Sequence, residues 1–275
     1  MKKKQKWTVF SVLGLLILLL FAAICIAPFI YMTIMSFTQS TTLMLHWSDI
    51  NFGDFTNFNY VLKKTGFIRA LTNSVIVVFC SCLFNCIIAS MAAYGFAKKK
   101  FPGSKAIFRI YLLTLMIPGQ VTIIPRFMLF KSMGLYNTLW SCILPFWFST
   151  TAIFMLRQFY IGLPNDLMEA AKIDGAGHFR IFLQVLMPLT KPAMITLVIL
   201  AFIGSWNEYL SPLIFITKQE KYTVAQAIRW YLLDELQRYD LTMAAATIAI
   251  VPVIILFISC QKYFVEGIAT SGVKG

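Results

Sequence analysis

The residue types and spacing between Asn165 and Gly175 mark a helix start and stop within one short element. Asp166 opens a short periodic run and Glu169 follows three residues later, the spacing of a capping box in which a carboxylate satisfies the first amides of a helix. Gly175 supplies the positive φ of a tight helix stop. A second helix is expected from Gly177 to Met187, ended by Pro188 and Pro192. Together these give helix, glycine turn and helix, with Glu169, Ala170, Ala171, Asp174 and Ala176 at or near the turn. The product is two short helices about a tight turn; it contains no nucleophile or metal ligand set.

The second group with chemical potential is polar and sits inside apolar runs. Glu208 is the one carboxylate within such a run, in Ser205-Trp206-Asn207-Glu208-Tyr209-Leu210-Ser211. Intramembrane charge is costly and normally faces protein or water. Ser205, Glu208 and Ser211 recur at i, i+3 and i+6, and Ser74, Ser81 and Asn85 at i, i+7 and i+11, so each set can share one helix face. Two polar stripes predict a wet cavity between their helices, with Gln120, Trp206, Asn207 and Tyr209 completing a path; interhelical hydrogen bonding is the competing reading. Pro118 and Pro125 predict a kink around Gly119 and Gln120, and Ala245 and Ala249 predict close packing.

Other chemistry is missing from the sequence. The six cysteines all fall in apolar runs and the two histidines, His46 and His178, on opposite sides of the expected membrane, so no metal site is expected. There is no G-x-x-x-x-G-K-[ST], G-x-S-x-G, H-E-x-x-H or CxxC, and no enzymatic activity is expected of this chain.

The elements that must position these residues follow from composition. Of 275 residues, 59% are hydrophobic and 13% charged, against about 45 to 50% and about 25% in soluble domains. With a mean hydropathy of +0.76, this excludes a disordered chain and makes an all-α membrane protein the default. Six runs are long enough to cross roughly 30 Å of hydrocarbon: Phe10–Met35, Leu71–Ala97, Ala106–Phe130, Thr138–Leu156, Ala193–Ile216 and Leu241–Phe264. The first is too long for a secretory h-region and is read as a retained span.

The net charge of +13 does not form a nucleic-acid patch, because the basic residues punctuate apolar runs. Placing Lys2, Lys3, Lys4 and Lys6 in the cytoplasm puts fifteen Lys and Arg on that side and nine on the other, with both termini cytoplasmic. The cytoplasmic segment 157–192 exceeds the usual connection length and should carry structure of its own. The expected division is 1–70, a first span and outer loop; 71–265, a transmembrane domain containing loop 157–192; and 266–275, a cytoplasmic tail. No internal repeat is visible.

Glu169-Ala170-Ala171-Lys172-Ile173-Asp174-Gly175-Ala176, with Phe182, Val185 and Pro188, resembles the EAA motif of membrane subunits of binding-protein-dependent ABC importers, in the form found in the carbohydrate uptake subgroup. The resemblance extends to Ile117-Pro118-Gly119-Gln120, Met133-Gly134-Leu135, Leu156-Arg157-Gln158-Phe159, Trp206-Asn207-Glu208-Tyr209-Leu210 and the tail from Tyr263-Phe264-Val265-Glu266-Gly267-Ile268 to Val273-Lys274-Gly275. It covers the chain from Leu71 to the end.

The resemblance implies a type I importer (MetI-like) fold of six transmembrane helices in the cell membrane. It also implies a permease that forms the path for a sugar or oligosaccharide. Glu169, Ala170, Ala171, Asp174, Gly175, Ala176 and Pro188 then belong to a coupling loop seated in a cleft of a cytoplasmic ATPase. Implied partners are a second homologous permease, two ATP-binding subunits that hold ATP and Mg, and an extracytoplasmic solute-binding protein; no cofactor is implied in this chain. Sugar hydroxyls suit Asn, Gln, Glu and Ser, and sugar C–H faces suit Trp or Tyr, which fits Ser74, Ser81, Asn85, Gln120, Ser205, Trp206, Asn207, Glu208 and Tyr209 as path residues. Trp230 and Tyr231 in an outer loop are the expected binding-protein contact. Glycerol phosphate systems share the subgroup pattern. The alternative is an ion-coupled secondary transporter, which would need no ATPase and would leave the cytoplasmic motif without a role.

Overall fold

The computed structural model describes residues 9–40, 42–64, 66–233 and 238–272, with backbone alone at 64, 232–233 and 263–272. Among them there is no strand, in keeping with the expected all-α class. In chain order the helices are α1 (Val9–Met35), α2 (Thr56–Lys64), α3 (Phe67–Lys98), α4 (Ser104–Leu113), α5 (Ile123–Ser132), α6 (Trp140–Ile143), α7 (Thr150–Ile161), α8 (Asp166–Ile173), α9 (His178–Leu189, with a π segment at Ile181–Leu186), α10 (Lys191–Trp206), α11 (Leu210–Phe215), α12 (Val224–Leu233) and α13 (Tyr239–Gly272).

α3 shows why the chain partitions into a bilayer. Its protein-facing stripe, Ala70, Ser74, Val77, Ser81, Asn85, Ala89 and Ala93, is small or polar and buried, while Val75, Phe79, Leu83, Ile87 and Met91 are exposed. Small residues inside and large apolar residues outside is the pattern of a helix packed in lipid. α1 is apolar on all sides and almost wholly exposed, as lipid contact requires.

Three of the six expected spans are single helices long and apolar enough to cross a membrane: α1, α3 and α13. The bent pair α9 and α10 (79° at Thr190) is also apolar and long enough by the same measure, although α9 lies in the segment 157–192 expected as a cytoplasmic loop and α10 opens the expected span 193–216. The other three expected spans are interrupted. Run 106–130 divides into α4 and α5 at a turn through Pro118, Gly119 and Gln120; Pro125 falls in the first turn of α5, where its missing amide costs nothing. Run 138–156 breaks after α6 at a 3-10 turn containing Pro145, and Ser149 Oγ restarts the helix by accepting from the Ala152 amide (3.3 Å). Run 193–216 breaks at Asn207–Tyr209, between α10 and α11.

The chain forms two compact units, one of residues 1–67 with 228–250 and one of 68–227 with 251–275. In the first, Phe37 packs its ring 5.1 to 5.6 Å from Phe52, Phe55 and Phe58, and buried Asn57 donates to the carbonyls of Ser36 (3.1 Å) and Thr38 (2.6 Å). Buried Asp240 accepts a bidentate pair from Arg238 (2.9 and 2.7 Å), and Ala245 and Ala249 are buried as close packing predicts.

In the second unit the described residues form two apolar clusters set along α3. One gathers Ala89, Ala93, Phe108, Leu156, Tyr160 and Phe182; the other gathers Val77, Phe130, Cys142, Phe215 and Ile216. The backbone of α13 stays helical through Gly272; Lys2, Lys3, Lys4 and Lys6, which orient the expected topology, and Val273, Lys274 and Gly275 of the tail lie outside the described residues.

Candidate functional site

α8 begins and ends by different means, and the difference sets which residues face outward. The expected capping box does not form. The position before the helix is Asn165, already helical (φ −73°, ψ −25°) and without a side-chain cap bond, because its Oδ1 accepts from Lys98 Nζ (2.8 Å). Lys98 also donates to the Leu163 carbonyl (2.7 Å). Asp166 is therefore the first helical residue, and with Glu169 it complements the helix dipole at the N-terminal turn, where each charge is worth roughly 0.3 to 1 kcal/mol.

The C-terminal end is a complete Schellman motif. Gly175 has φ +79°, its amide donates to Lys172 O (3.0 Å), and the Ala176 amide donates to Ala171 O (2.9 Å). The apolar contact that accompanies this motif falls to Ala171 and Ala176, both part-buried against the core at the end of α3. Met168 turns the same way. The remaining face looks out: Glu169, Ala170, Lys172 and Asp174 are exposed, and Ile173 is 86% exposed.

α8 rests on the π segment Ile181–Leu186, where buried Phe182 lies 5.3 Å from the Tyr94 ring. Pro188 does not stop the second helix as expected. It lies just past the wide π turn, which accommodates its ring and missing amide, and the chain bends two residues later at buried Thr190.

The residues expected to line a path are distributed differently from their helical spacing. Because the backbone breaks at 207–209, Ser205, Glu208 and Ser211 do not share one continuous helix face. Glu208 instead caps α11, its Oε1 accepting from the Ser211 amide (2.8 Å). Trp206 is buried and stacked on Phe202 (5.6 Å, 6° between planes), Asn207 is exposed and donates to Ile203 O (3.0 Å), Tyr209 is half-buried, and Gln120 is exposed on the turn before α5.

On α3, Ser74 Oγ accepts from the Val224 amide (2.8 Å) and Asn85 Nδ2 donates to Phe146 O, so both tie helices together. A cavity of about 280 Å³ does lie between α3, α7 and α10, but its wall is mainly apolar, with Asn85, Ser149 and Thr151 as polar members. Of the expected path residues, Asn85 is the one that lines it. Ser81 Oγ, Asn85 Oδ1 and Ser205 Oγ are buried without a hydrogen-bond partner among the described residues.

On α12, Trp230 is 41% exposed and Tyr231 only 3%, their rings meeting edge to face at 5.8 Å. Of this expected contact pair, Trp230 offers the surface. Among the described residues no group of three or more His, Cys, Asp or Glu is placed to hold a metal.

Three residues that position the site have no local signal in the sequence. Lys98 holds the start of α8. Arg157 donates to Phe96 O (3.3 Å) and stacks over the Phe108 ring (4.1 Å). Asn137, at φ +60°, accepts through Oδ1 from Thr217 N (2.7 Å) and Lys218 N (3.1 Å), latching the turn after α5 to the exit of α11. Each hydrogen-bond partner is some sixty or more residues away, and Phe108 lies 49 from Arg157, beyond the reach of spacing rules.

Comparison with known proteins adds a second line of argument. Residues 85–270 match the family described as binding-protein-dependent transport system inner membrane component. The arabinooligosaccharides transport system permease protein AraQ of Halalkalibacterium halodurans is 34% identical over 263 residues, 92% of this chain and 93% of that protein. The sn-glycerol-3-phosphate transport system permease protein UgpE of Brucella abortus is 31% identical over 269 residues, 94% and 95% of the two chains. In fold, the chain is similar to one in the crystal structure of a bacterial ABC transporter involved in the import of the acidic polysaccharide alginate. That match has a TM-score of 0.82 at 23% identity, over 95% of this chain and 100% of that one.

Proposed function

This chain belongs to the family of binding-protein-dependent transport system inner membrane components, and from that premise we propose how its parts divide the work of import. It is a multi-pass permease subunit of the cell membrane, with the all-helical fold of ABC importer permeases, and the transport energy comes from a separate subunit. The cargo is a sugar or oligosaccharide: relatives named for arabinooligosaccharides and for diacetylchitobiose support this, and the glycerol phosphate relatives mark the neighbouring chemistry.

In this reading six crossings span the membrane, each interrupted run counting as one, with both termini cytoplasmic. A second homologous permease completes the path, two ATP-binding subunits supply ATP and Mg, and a solute-binding protein delivers cargo near Trp230. α8 is the coupling element. The observation that carries this is its exposure: an eight-residue helix, fixed at both ends, that turns Glu169, Ala170 and Ile173 away from its own core.

Closure of the ATPase pulls on α8, and the π segment beneath it transmits the pull to α10 through the bend at Thr190. The buried, unpartnered hydroxyls of Ser81 and Ser205 and the Asn85 amide oxygen support a path beside α3 and α10, since such atoms each cost about 1 to 3 kcal/mol unless the working assembly provides partners.

Gly175→Asp tests the coupling role. Asp enters the left-handed turn at a cost of roughly 1 kcal/mol, and an added Cβ meets nothing within 4 Å, so the chain should still fold and insert. Uptake of labelled sugar and capture of the ATPase should both be lost; normal values for both overturn the assignment. Uptake by reconstituted vesicles should require ATP and added nucleotide-binding subunits, which an ion-coupled carrier would not.

A further inference from the structure

A groove of roughly 850 Å³ at the end of α3 collects five cations: Lys99, Lys100, Lys105, Arg109 and Arg157. No acidic residue lines it, and among the described residues no carboxylate pairs with any of the five. Arg157 is held in place by Phe96 O and the Phe108 ring. Burial, then the nearby charge of Lys172, holds the Lys99 ammonium below its usual pKa, and no carboxylate lining the groove offsets either effect.

Two further features specify what supplies that charge. The groove opens immediately after Lys98, the last residue of a membrane-crossing helix, and thus at the bilayer surface. Beside it, α4 exposes Ile107, Ile110 and Leu113 at three-residue spacing (49%, 65% and 59% exposed). A soluble anion would account for the cations alone; a phospholipid accounts for the cations and for the apolar strip that adjoins them.

We propose that this groove binds the phosphate headgroup of an anionic membrane phospholipid, with its acyl chains lying along Ile107, Ile110 and Leu113. Basic pockets at the ends of transmembrane helices recognise such headgroups through the same charge complementarity. Lys105 and Arg109 carry the recognition, being exposed and without partners among the described residues, whereas Arg157 also supports the fold.

The test uses the full chain, in the complex with which it copurifies, in phosphatidylcholine nanodiscs doped with phosphatidylglycerol, with retained lipid counted by native mass spectrometry. Wild type should retain phosphatidylglycerol in preference to phosphatidylcholine. The double variant K105Q/R109Q should lose affinity roughly thirtyfold, about fivefold per cation. The charge-conserving pair K105R/R109K should bind within about twofold of wild type, since the headgroup is attracted chiefly by charge. Equal retention by wild type and K105Q/R109Q overturns the proposal. So does equal loss in both variants, which makes the groove a packing feature, or full displacement by millimolar inorganic phosphate or ATP, which reassigns it to a soluble anion.

Discussion

Two helices in this chain stop with the same backbone device and put it to opposite uses. α5 ends at Gly134 (φ +72°), whose amide donates to Lys131 O (3.2 Å) while Leu135 N donates to Phe130 O (2.8 Å). α8 ends at Gly175 with the matching pair of bonds. In α5 the accompanying apolar contact is Phe130 with Leu135, and Phe130 is buried 5.5 Å from the Phe215 ring, so the turn locks its helix into the core. In α8 the contact is Ala171 with Ala176. Two methyl groups hold the helix close to the protein and leave its outer face uninvolved in folding. Equal backbone chemistry thus anchors one segment and displays the other, according to the side chains at two positions.

The widest contrast comes from one substitution on each helix. Phe130→Ala removes a buried ring and should cost about 3 to 4 kcal/mol, read as a large fall in melting temperature and in the amount of inserted chain. Ile173→Asp should change stability by no more than about 0.5 kcal/mol, yet lower uptake by more than about tenfold through lost ATPase capture. A loss of thermal stability in Ile173→Asp as large as that of Phe130→Ala would abolish the distinction.

A smaller effect sharpens the likeness of the two turns. Gly134→Ala and Gly175→Ala should each cost roughly 1 kcal/mol, because both positions are left-handed and neither added Cβ meets an atom within 4 Å. Gly175→Asn should recover part of that cost, as Asn adopts this region more readily. Chemical denaturation of the four proteins gives the comparison; a cost several times larger at Gly175 would mean that α8 is packed more tightly than its two alanine contacts imply.

The smallest effect uses a helix start as control. Asp54 Oδ1 accepts from the Thr56 amide (2.9 Å) and hydroxyl at the start of α2, and the hydroxyl bond, then the amide bond, hold its carboxyl below the ordinary 3.8. A depressed folded pKa stabilises above the unfolded value and ceases to do so as pH falls through the folded value. Protection of the α2 amides against exchange, taken relative to the intrinsic rate at each pH, should therefore fall below pH 3.8, and Asp54→Asn should remove that fall. α8 has no such side-chain cap and should show no matching step from one.

What the sequence made legible and what it hid divide along physical lines. The end of α8 at Gly175 could be read because the turn is local, requiring left-handed backbone and a small residue next to it. α1, α3 and α13 could be read because length and apolarity suffice. The break at Pro118 to Gln120 could be anticipated as a kink from its prolines, but those at Pro145 and at Asn207 to Tyr209 were hidden, since hydropathy averages composition and does not register backbone continuity. The caps were misread for a related reason. Asp166 and Glu169 have capping-box spacing, but Lys98 claims the preceding Asn165 from 67 positions away. Glu208, expected to face a cavity, satisfies an amide of the helix that follows the break.

The measurement closest to the central claim places a cysteine at Ile173, in a chain whose six native cysteines have been replaced, and follows its reaction with a water-soluble maleimide. The chain alone should label rapidly, because this side chain is 86% exposed. Addition of the ATP-binding subunits should protect it and give a crosslink whose yield depends on ATP. Equal labelling with and without those subunits, at a level of assembly that supports uptake, would contradict the account.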